Sequence, residues 1–360
     1  MSRGISFAMA GGGTGGHIIP ALAVANELRR RDHLPFFIGT QRGMEGKMVP
    51  AAGFPIEWIQ IGGLNRVSAV ERLRTILQLP TSALRVLQIF RSRRPKAVFS
   101  MGGYVAGPVM MAARLIGIPI VVMEPNAVPG LTNRQMGRLI AKALVSFPET
   151  LRHFPEGRAE ITGVPVREEF FRLRAKPFPV GPFTILITGG SRGSRTLNEA
   201  AQGSWRLFQQ SQMPVRILHQ CGTEMHAKLE EEFRSTGLAG EVMPFIANMP
   251  KAFDEADLIV CRSGASTVSE LAAAGKPSVL IPFPFAADDH QLRNAEAMVR
   301  AGAARLVLDR DMHGQKLFDE VTALAGDAKA LKNIGENARS MAKPGAAARA
   351  ADILEELAMR

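Results

Sequence analysis

The segment that most constrains this chain is Gly11-Gly12-Gly13-Thr14-Gly15-Gly16-His17. A short apolar run, Ile5 to Ala10, precedes it, and a helical pattern of Ile18, Ala21, Leu22, Ala25 and Leu28 follows. Strand, glycine turn and helix start are the parts of an anion site. Glycine admits φ > 0 and close backbone approach, while N–H groups and the helix dipole face a negative ligand. The same pattern also serves merely to pack a helix on a sheet. A histidine at the mouth of the turn and a second copy later in the chain favour the ligand reading. In that copy Phe183 to Thr188 run into Gly189-Gly190-Ser191-Arg192-Gly193-Ser194 and another helix. Two such units in 360 residues predict two similar domains of ordinary size.

Alternating short apolar runs and amphipathic stretches carry the same message through both halves. Strands are expected at 5–10, 34–39, 56–60, 97–100, 119–123 and 143–146, with helices at 17–31, 43–51, 69–92, 106–116 and 131–141. After a linker at Gly163-Val164-Pro165-Val166-Arg167, strands are expected at 183–188, 215–219, 241–245, 257–260, 277–281 and 304–308. Helices between them are expected at 194–211, 223–236, 266–274, 289–301 and 313–325. This is the pattern of α/β domains, each a doubly wound parallel sheet that binds ligands at the carboxyl ends of its strands. The expected division is 1–163, 164–342, and a tail helix over 343–360 that packs back on the first domain.

Composition excludes several classes. With 46% hydrophobic and 21% charged residues, the chain is a soluble globular type. The N-terminal apolar run is cut at Gly11, short of a signal peptide, and Arg114, Gly117 and Pro119 divide the Val105 to Met123 stretch into a helix and a strand. Cys221 and Cys261 lack metal spacing and are expected as buried free thiols in a reducing cytoplasm. The net charge of +11 lies wholly in the first half: residues 1–163 hold 20 Lys/Arg against 9 Asp/Glu, and residues 164–360 hold 24 of each. Much of the excess is in Glu71 to Lys96, where seven basic residues interleave with leucines and isoleucines around Pro80, expected to break or kink the helix. That stretch reads either as a core helix with a solvated basic face or as an interfacial segment on an anionic membrane.

Three further turns bear on chemistry. Met101-Gly102-Gly103-Tyr104 follows one strand and contains the chain's single tyrosine, and Met123-Glu124-Pro125-Asn126 follows the next. Glu124 reads as a functional carboxylate or a salt-bridge partner, and Asn126 as a ligand contact or a turn cap. In the second half Cys261-Arg262-Ser263-Gly264-Ala265-Ser266-Thr267-Val268-Ser269-Glu270 joins a strand to a helix start, with Glu270 placed to reach ribose hydroxyls. The alternative there is a plain capping box. Gln291 opens a later helix and is placed for a sugar hydroxyl, while Asp309-Arg310-Asp311 reads as surface charge rather than a metal pair.

These motifs together resemble the MurG family of inverting glycosyltransferases. Its marks here are Gly13-Thr14-Gly15-Gly16-His17, Met101-Gly102-Gly103-Tyr104, Gly130-Leu131-Thr132-Asn133-Arg134, Gly189-Gly190-Ser191, Arg262-Ser263-Gly264-Ala265, Thr267-Val268-Ser269-Glu270, and Gln291 with Asn294. The resemblance implies a GT-B fold, two doubly wound Rossmann-like domains with the active site in the cleft between them. It implies transfer of GlcNAc from UDP-GlcNAc to the MurNAc 4-hydroxyl of undecaprenyl-pyrophosphoryl-MurNAc-pentapeptide (lipid I), giving lipid II at the cytoplasmic face of the membrane. No cofactor and no metal are implied. The implied partners are the two substrates, an anionic membrane surface and other cell-wall synthesis proteins, without nucleic acid.

Carried over by position, the donor site is Thr14, Gly15, Gly16, Asn126, Arg167, Ser191, Ile246, Ala265, Ser266, Thr267, Val268, Ser269, Glu270 and Gln291, with the Ile246 backbone on the uracil edge. Tyr104 and Asn133 are the implied acceptor contacts. The family usually shows His-Glu-Gln-Asn where this chain has Met123-Glu124-Pro125-Asn126, so roles of that His and Gln do not carry over. Inversion needs a base for the acceptor hydroxyl. His17 is the first candidate, since an unperturbed imidazole titrates at about 6.5, and Glu124 the second. The leaving diphosphate falls to the Ser191 turn, the helix at Ser266 and Arg167, which has Glu168 and Glu169 as alternative partners. Two other classes remain on the residues alone. An NADP-dependent oxidoreductase fits Gly11-x-Gly13-x-x-Gly16 with Arg42 on the 2′-phosphate, and a nucleic-acid module fits the basic first half, though aromatic residues for stacking are few there.

Overall fold

Strand β1 (Ser6–Ala10) is buried on both faces, and that sets the layering of everything near it. Phe7 and Met9 enter one apolar cluster while Ala8 and Ala10 enter another, the period-two alternation of a strand covered by helices on both sides. The computed structural model describes residues 4–12, 15–62, 69–174 and 181–360. The chain divides into two units, one running to Val166 and resuming at Lys343–Arg360, the other spanning Arg167–Ala342. The boundary expected after Gly163 falls three residues later, at Val166: Val164 is buried, and the N–H groups of Thr162 and Gly163 both donate to Val145 O.

In the first unit β1 is joined by β2 (Leu34–Gly39), β3 (Ile56–Trp58), β4 (Ala97–Ser100), β5 (Ile120–Glu124), β6 (Lys142–Val145) and β7 (Ala159–Ile161). All pairings are parallel in the order β3-β2-β1-β4-β5-β6-β7, so the sheet reverses direction of growth beside β1. The connecting helices are α1 (Gly15–Arg30), α2 (Glu45–Ala51), α3 (Ala69–Arg93), α4 (Ala106–Leu115) and α5 (Leu131–Met136). Two expectations need correcting. Helix α3 runs on through Pro80 instead of breaking there, since proline removes only one hydrogen bond from the ladder. Helix α5 stops at Met136: Gly137, a poor helix former, follows, and Leu139 N–H closes a turn on Met136 O before β6.

The second unit opens with the short α6 (Glu168–Arg172), followed by β8 (Phe183–Thr188), α7 (Arg195–Ser211), β9 (Val215–Gln220), α8 (His226–Thr236), β10 (Ala239–Met243), α9 (Met249–Glu255), β11 (Leu258–Cys261), α10 (Ala265–Ala274), β12 (Ser278–Leu280), α11 (His290–Arg300), β13 (Arg305–Leu306), α12 (Gly314–Ala325) and α13 (Ala328–Ser340). Its six strands are parallel in the order β10-β9-β8-β11-β12-β13. The elements missed from the sequence are short (β7, α6, α9) or interrupted. Gly335 breaks the pattern of α13, yet a Cβ there would lie 2.7 Å from Gly275 O, so the glycine is what lets this helix meet the end of α10. Arg339 of α13 then donates to the carbonyls of Phe171, Leu173, Ala273 and Ala274, tying α6 to α10.

Helix α14 (Ala346–Ala358) belongs to the first unit, where Ala350, Ala351, Ile353 and Leu354 join the cluster of Phe7, Met9 and α1. Polar clasps hold its rim: Arg31 reaches Asp352 at 2.6 Å and Glu355 at 2.8 Å, and Arg349 reaches Glu160 at 2.6 Å. Both cysteines are free and buried. Among the described residues no helix is long and apolar enough to cross a membrane.

Candidate active site

In the first unit the adjacent strands β1, β4 and β5 deliver three turns side by side at their carboxyl ends. His17 stands in the first, just after Gly15 and Gly16 open α1; Thr14 lies outside the described residues. Its Nδ1 is 3.2 Å from Gly12 O. A carbonyl only accepts, so Nδ1 carries a proton, and the lone pair of a neutral ring is then on Nε2. The second turn supports the ring. Gly103 has φ +80°, an angle that favours glycine, and it lies against the ring: a Cβ there would be 3.4 Å from His17 Nδ1 and 3.3 Å from Gly12 O.

Glu124 ends β5 with 2% exposure. Its Oε1 accepts from Asn126 N at 3.0 Å and Asn126 Nδ2 at 3.1 Å, and its Oε2 from Gly130 N at 2.9 Å and Asn133 Nδ2 at 3.0 Å. Burial pushes the carboxyl up, against the pull of those N–H donors. The salt bridge expected as its alternative role is absent from this set; amides alone satisfy it. Asn133 is likewise 2% exposed and turned inward to Glu124, and its Oδ1 faces the Gly102 turn. Tyr104 is half-buried, its hydroxyl 3.0 Å from Thr40 Oγ1 and donating to Glu45 Oε1 at 3.3 Å, with burial as the main cause of its raised pKa.

In the second unit the turns after β8, β11 and β12 are neighbours in the same way. Ser191 is exposed in the first, and Ser194 caps α7 by accepting from Leu197 N. Helix α10 begins at Ala265 after Gly264, an N-cap without a side-chain hydrogen bond, so the capping box weighed from the sequence does not form. Ala265, Ser266, Thr267, Val268 and Ser269 therefore present a helix start whose first N–H groups no capping side chain takes, an arrangement suited to phosphate. Glu270, one turn on, has its carboxyl pushed up to about 7, chiefly by burial and partly offset by Arg167 at 3.9 Å. Arg167 pairs there rather than with Glu168 or Glu169, and its guanidinium lies 5.0 Å from the Phe170 ring.

Gln291 Oε1 accepts from Phe283 N at 3.0 Å, which leaves its amide N–H groups to donate. Ile246 N–H donates to Gln220 Oε1 at 2.8 Å, which fixes the backbone expected at the uracil edge. Arg262 donates to Asp309, to Ser194 Oγ at 2.7 Å and to the carbonyls of Ile281 and Pro282. Asp309 is thus an inward partner and not the surface charge expected, since its carboxylate also accepts from Thr196.

Two contributors escaped the sequence reading. Gln220, 2% exposed at the end of β9, joins the β8 turn to the Ile246 loop through Gly190 O and Ile246 N. Its signal was a polar His-Gln pair closing an apolar strand. Glu45 is fully buried behind Tyr104, and nothing in its exposed-looking surroundings marked it.

Residues 7–145 match the glycosyltransferase family 28 N-terminal domain and residues 184–357 the glycosyltransferase family 28 C-terminal domain. The chain belongs to glycosyltransferase family 28. A relative from Solibacter usitatus, a UDP-N-acetylglucosamine–N-acetylmuramyl-(pentapeptide) pyrophosphoryl-undecaprenol N-acetylglucosamine transferase, is 61% identical and the match covers 98% of this chain and 96% of that one. One of the same description from Halorhodospira halophila is 43% identical, with 98% of each covered. The crystal structure of Acinetobacter baumannii MurG superposes with a TM-score of 0.84 at 33% identity, covering 98% of this chain and 99% of that one. The fold is GT-B, and family 28 membership makes the chain a glycosyltransferase. The oxidoreductase alternative falls here. Both family models and the relatives named above are described as transferases, not oxidoreductases.

Proposed function

We propose that this family 28 enzyme transfers GlcNAc from UDP-GlcNAc to the MurNAc 4-hydroxyl of lipid I, with inversion, to give lipid II. The observation that carries this is 61% identity, over 98% of the chain, to a transferase of that description. In our reading the second unit holds the donor: the α10 helix start and the Ser191 turn take the diphosphate, Glu270 the ribose, the Ile246 loop the uracil and Gln291 the sugar. Arg167 lies against Glu270 and adds positive charge beside the diphosphate as it departs.

His17 is the base. The Nδ1 contact with Gly12 O supports this, because it makes Nε2 the nitrogen that accepts a proton when the ring is neutral. Glu124 we assign instead to positioning, as both its oxygens already accept N–H groups and it is closed from solvent. Asn133 acts with it, and Tyr104 is left as the acceptor contact. Replacing His17 by Ala tests the assignment: turnover should fall by roughly 10²–10⁴ while UDP-GlcNAc affinity holds. Equal losses in both quantities would refute it.

A membrane-facing surface belongs to the same proposal. Leu77 and Leu84 on α3, and Met111, Leu115 and Ile116 around the end of α4, are exposed large apolar side chains, with Arg85, Arg91 and Arg114 exposed among them. Apolar residues rimmed by arginine suit an anionic bilayer at the cytoplasmic face, where the polyprenyl acceptor is presented. Co-flotation with anionic but not zwitterionic vesicles supports it; no flotation with either refutes it.

A further inference from the structure

Glu45 is 0% exposed, yet it is a carboxylate in the first turn of a seven-residue helix, close to the chemistry. Its Oε1 accepts from Thr40 N at 3.1 Å, Thr40 Oγ1 at 2.8 Å and Tyr104 OH at 3.3 Å, and Thr40 Oγ1 is itself 3.0 Å from Tyr104 OH. Three glycines make room for it. A Cβ on Gly12 would lie 2.8 Å from Oε1, one on Gly39 2.7 Å from Cγ, and one on Gly43 2.0 Å from Oε2. The carboxylate therefore touches the two turns that hold the His17 ring. Gly12 supplies the carbonyl that accepts from Nδ1, and Gly103, beside Tyr104, backs the imidazole.

Glu124 grips the other side of the same β4 turn through Asn133, which lies against Gly102. A turn of two consecutive glycines at φ +80° has little stiffness of its own, and here it is held between two buried carboxylates. We propose that Glu45 is a positioning residue for the transfer: by holding Tyr104 and the first glycine turn together, it fixes the direction in which His17 meets the acceptor hydroxyl. The proposal rests on the assignment of His17 as base. A carboxylate accepts with roughly twice the strength of a neutral oxygen, so an amide in its place holds the hydroxyl more loosely. Loosening a reacting group by about 1 Å costs on the order of 10²-fold in rate.

The test is a cycle of Glu45→Gln and Tyr104→Phe in the full-length protein, with Glu45→Met as the harsher variant and His17→Ala alongside. Glu45→Gln should lower kcat by about tenfold and Glu45→Met by about 10²-fold, with the KM for UDP-GlcNAc within about twofold of the parent. The double variant Glu45→Gln/Tyr104→Phe should be no slower than the slower single, since both remove one linkage. Parental kcat in Glu45→Gln, a donor KM that moves with kcat, or losses that multiply in the double variant would each overturn the proposal. If Glu45→Met does not fold, the cycle with glutamine decides alone. An active His17→Ala would instead remove the base assignment, a result separable from the coupling between residues 45 and 104.

Discussion

The Glu270 carboxyl offers a quantitative test of how the donor site is built. Burial holds it at about 7, against an ordinary 4.5. At 1.36 kcal/mol per pH unit that difference is about 3 kcal/mol; a quarter of the side chain still meets water, so we take roughly 1–2 kcal/mol as the real cost of ionising it in the empty enzyme. The sign follows from proton linkage. Between pH 4.5 and 7 the folded chain binds the proton that the unfolded chain has released, so stability is full below about 4.5 and is lost as pH rises to about 7. Glu270→Gln removes the titration. Melts of parent and variant should nearly coincide at pH 5, and at pH 8 the variant should melt higher by roughly 3–6 °C in this unit.

Donor binding should reverse the order. Ribose hydroxyls donating to an ionised carboxylate contribute about 1.5–3 kcal/mol, which the amide only partly replaces. The variant should therefore bind UDP-GlcNAc roughly tenfold to 10²-fold more weakly, and saturating donor should close the gap in melting temperature at pH 8. A gap that is constant with pH, or a variant that melts below the parent at pH 8, would refute the idea that this site stores an unfavourable charge for its ligand to relieve.

Other consequences are simpler to read. Leu354→Ala opens a hole where α14 meets α1 and the sheet, and should cost about 2–5 kcal/mol in urea unfolding of the first unit, with Leu357→Ala, at the rim, costing less. Arg262→Lys keeps the charge but cannot reach Ser194, Asp309 and the carbonyls of Ile281 and Pro282 together, so the donor KM should rise about tenfold with kcat little changed. Asp309→Ala should have a similar effect, and steady-state kinetics of the double variant should show no further loss.

The layering was legible because apolar runs and helical stretches alternate over nearly the whole length, and a parallel sheet buried on both faces leaves that trace. Strands β1, β2, β4 and β8 lie within a residue of their expected positions, since each is a run of buried residues bounded by glycine or a charged turn. Pro80 misled because a proline inside a helix carries a local penalty that a long, packed helix absorbs. Asp309 misled because an acid-x-acid triplet looks solvated until Arg262, 47 residues earlier, is folded against it. Gln220 was invisible for the same reason: its partners Gly190 and Ile246 come from the separate loops after β8 and β10.

Glu45 and Glu124 show how far a glycine motif can be read. From the sequence, Gly12 suggests room for an anion, and Gly102-Gly103 is a second glycine turn without an assigned guest. In the folded unit Gly12 makes room for Glu45, and Gly102 for Asn133 in the grip of Glu124. Both acids are buried, Glu45 accepting from hydroxyl and N–H donors and Glu124 from N–H donors. Burying a carboxylate this way is costly unless each donor is well aimed, so the arrangement leaves the turns little freedom. The division between the units then has a physical sense. On the proposed assignments, the first spends glycines on seating its own side chains around His17, whereas the second leaves a helix start without a side-chain cap and a carboxyl poised to ionise, which suits a changing phosphate ligand. If substitution of Gly12 by Ala slowed turnover no more than it weakened donor binding, that division of labour would be wrong.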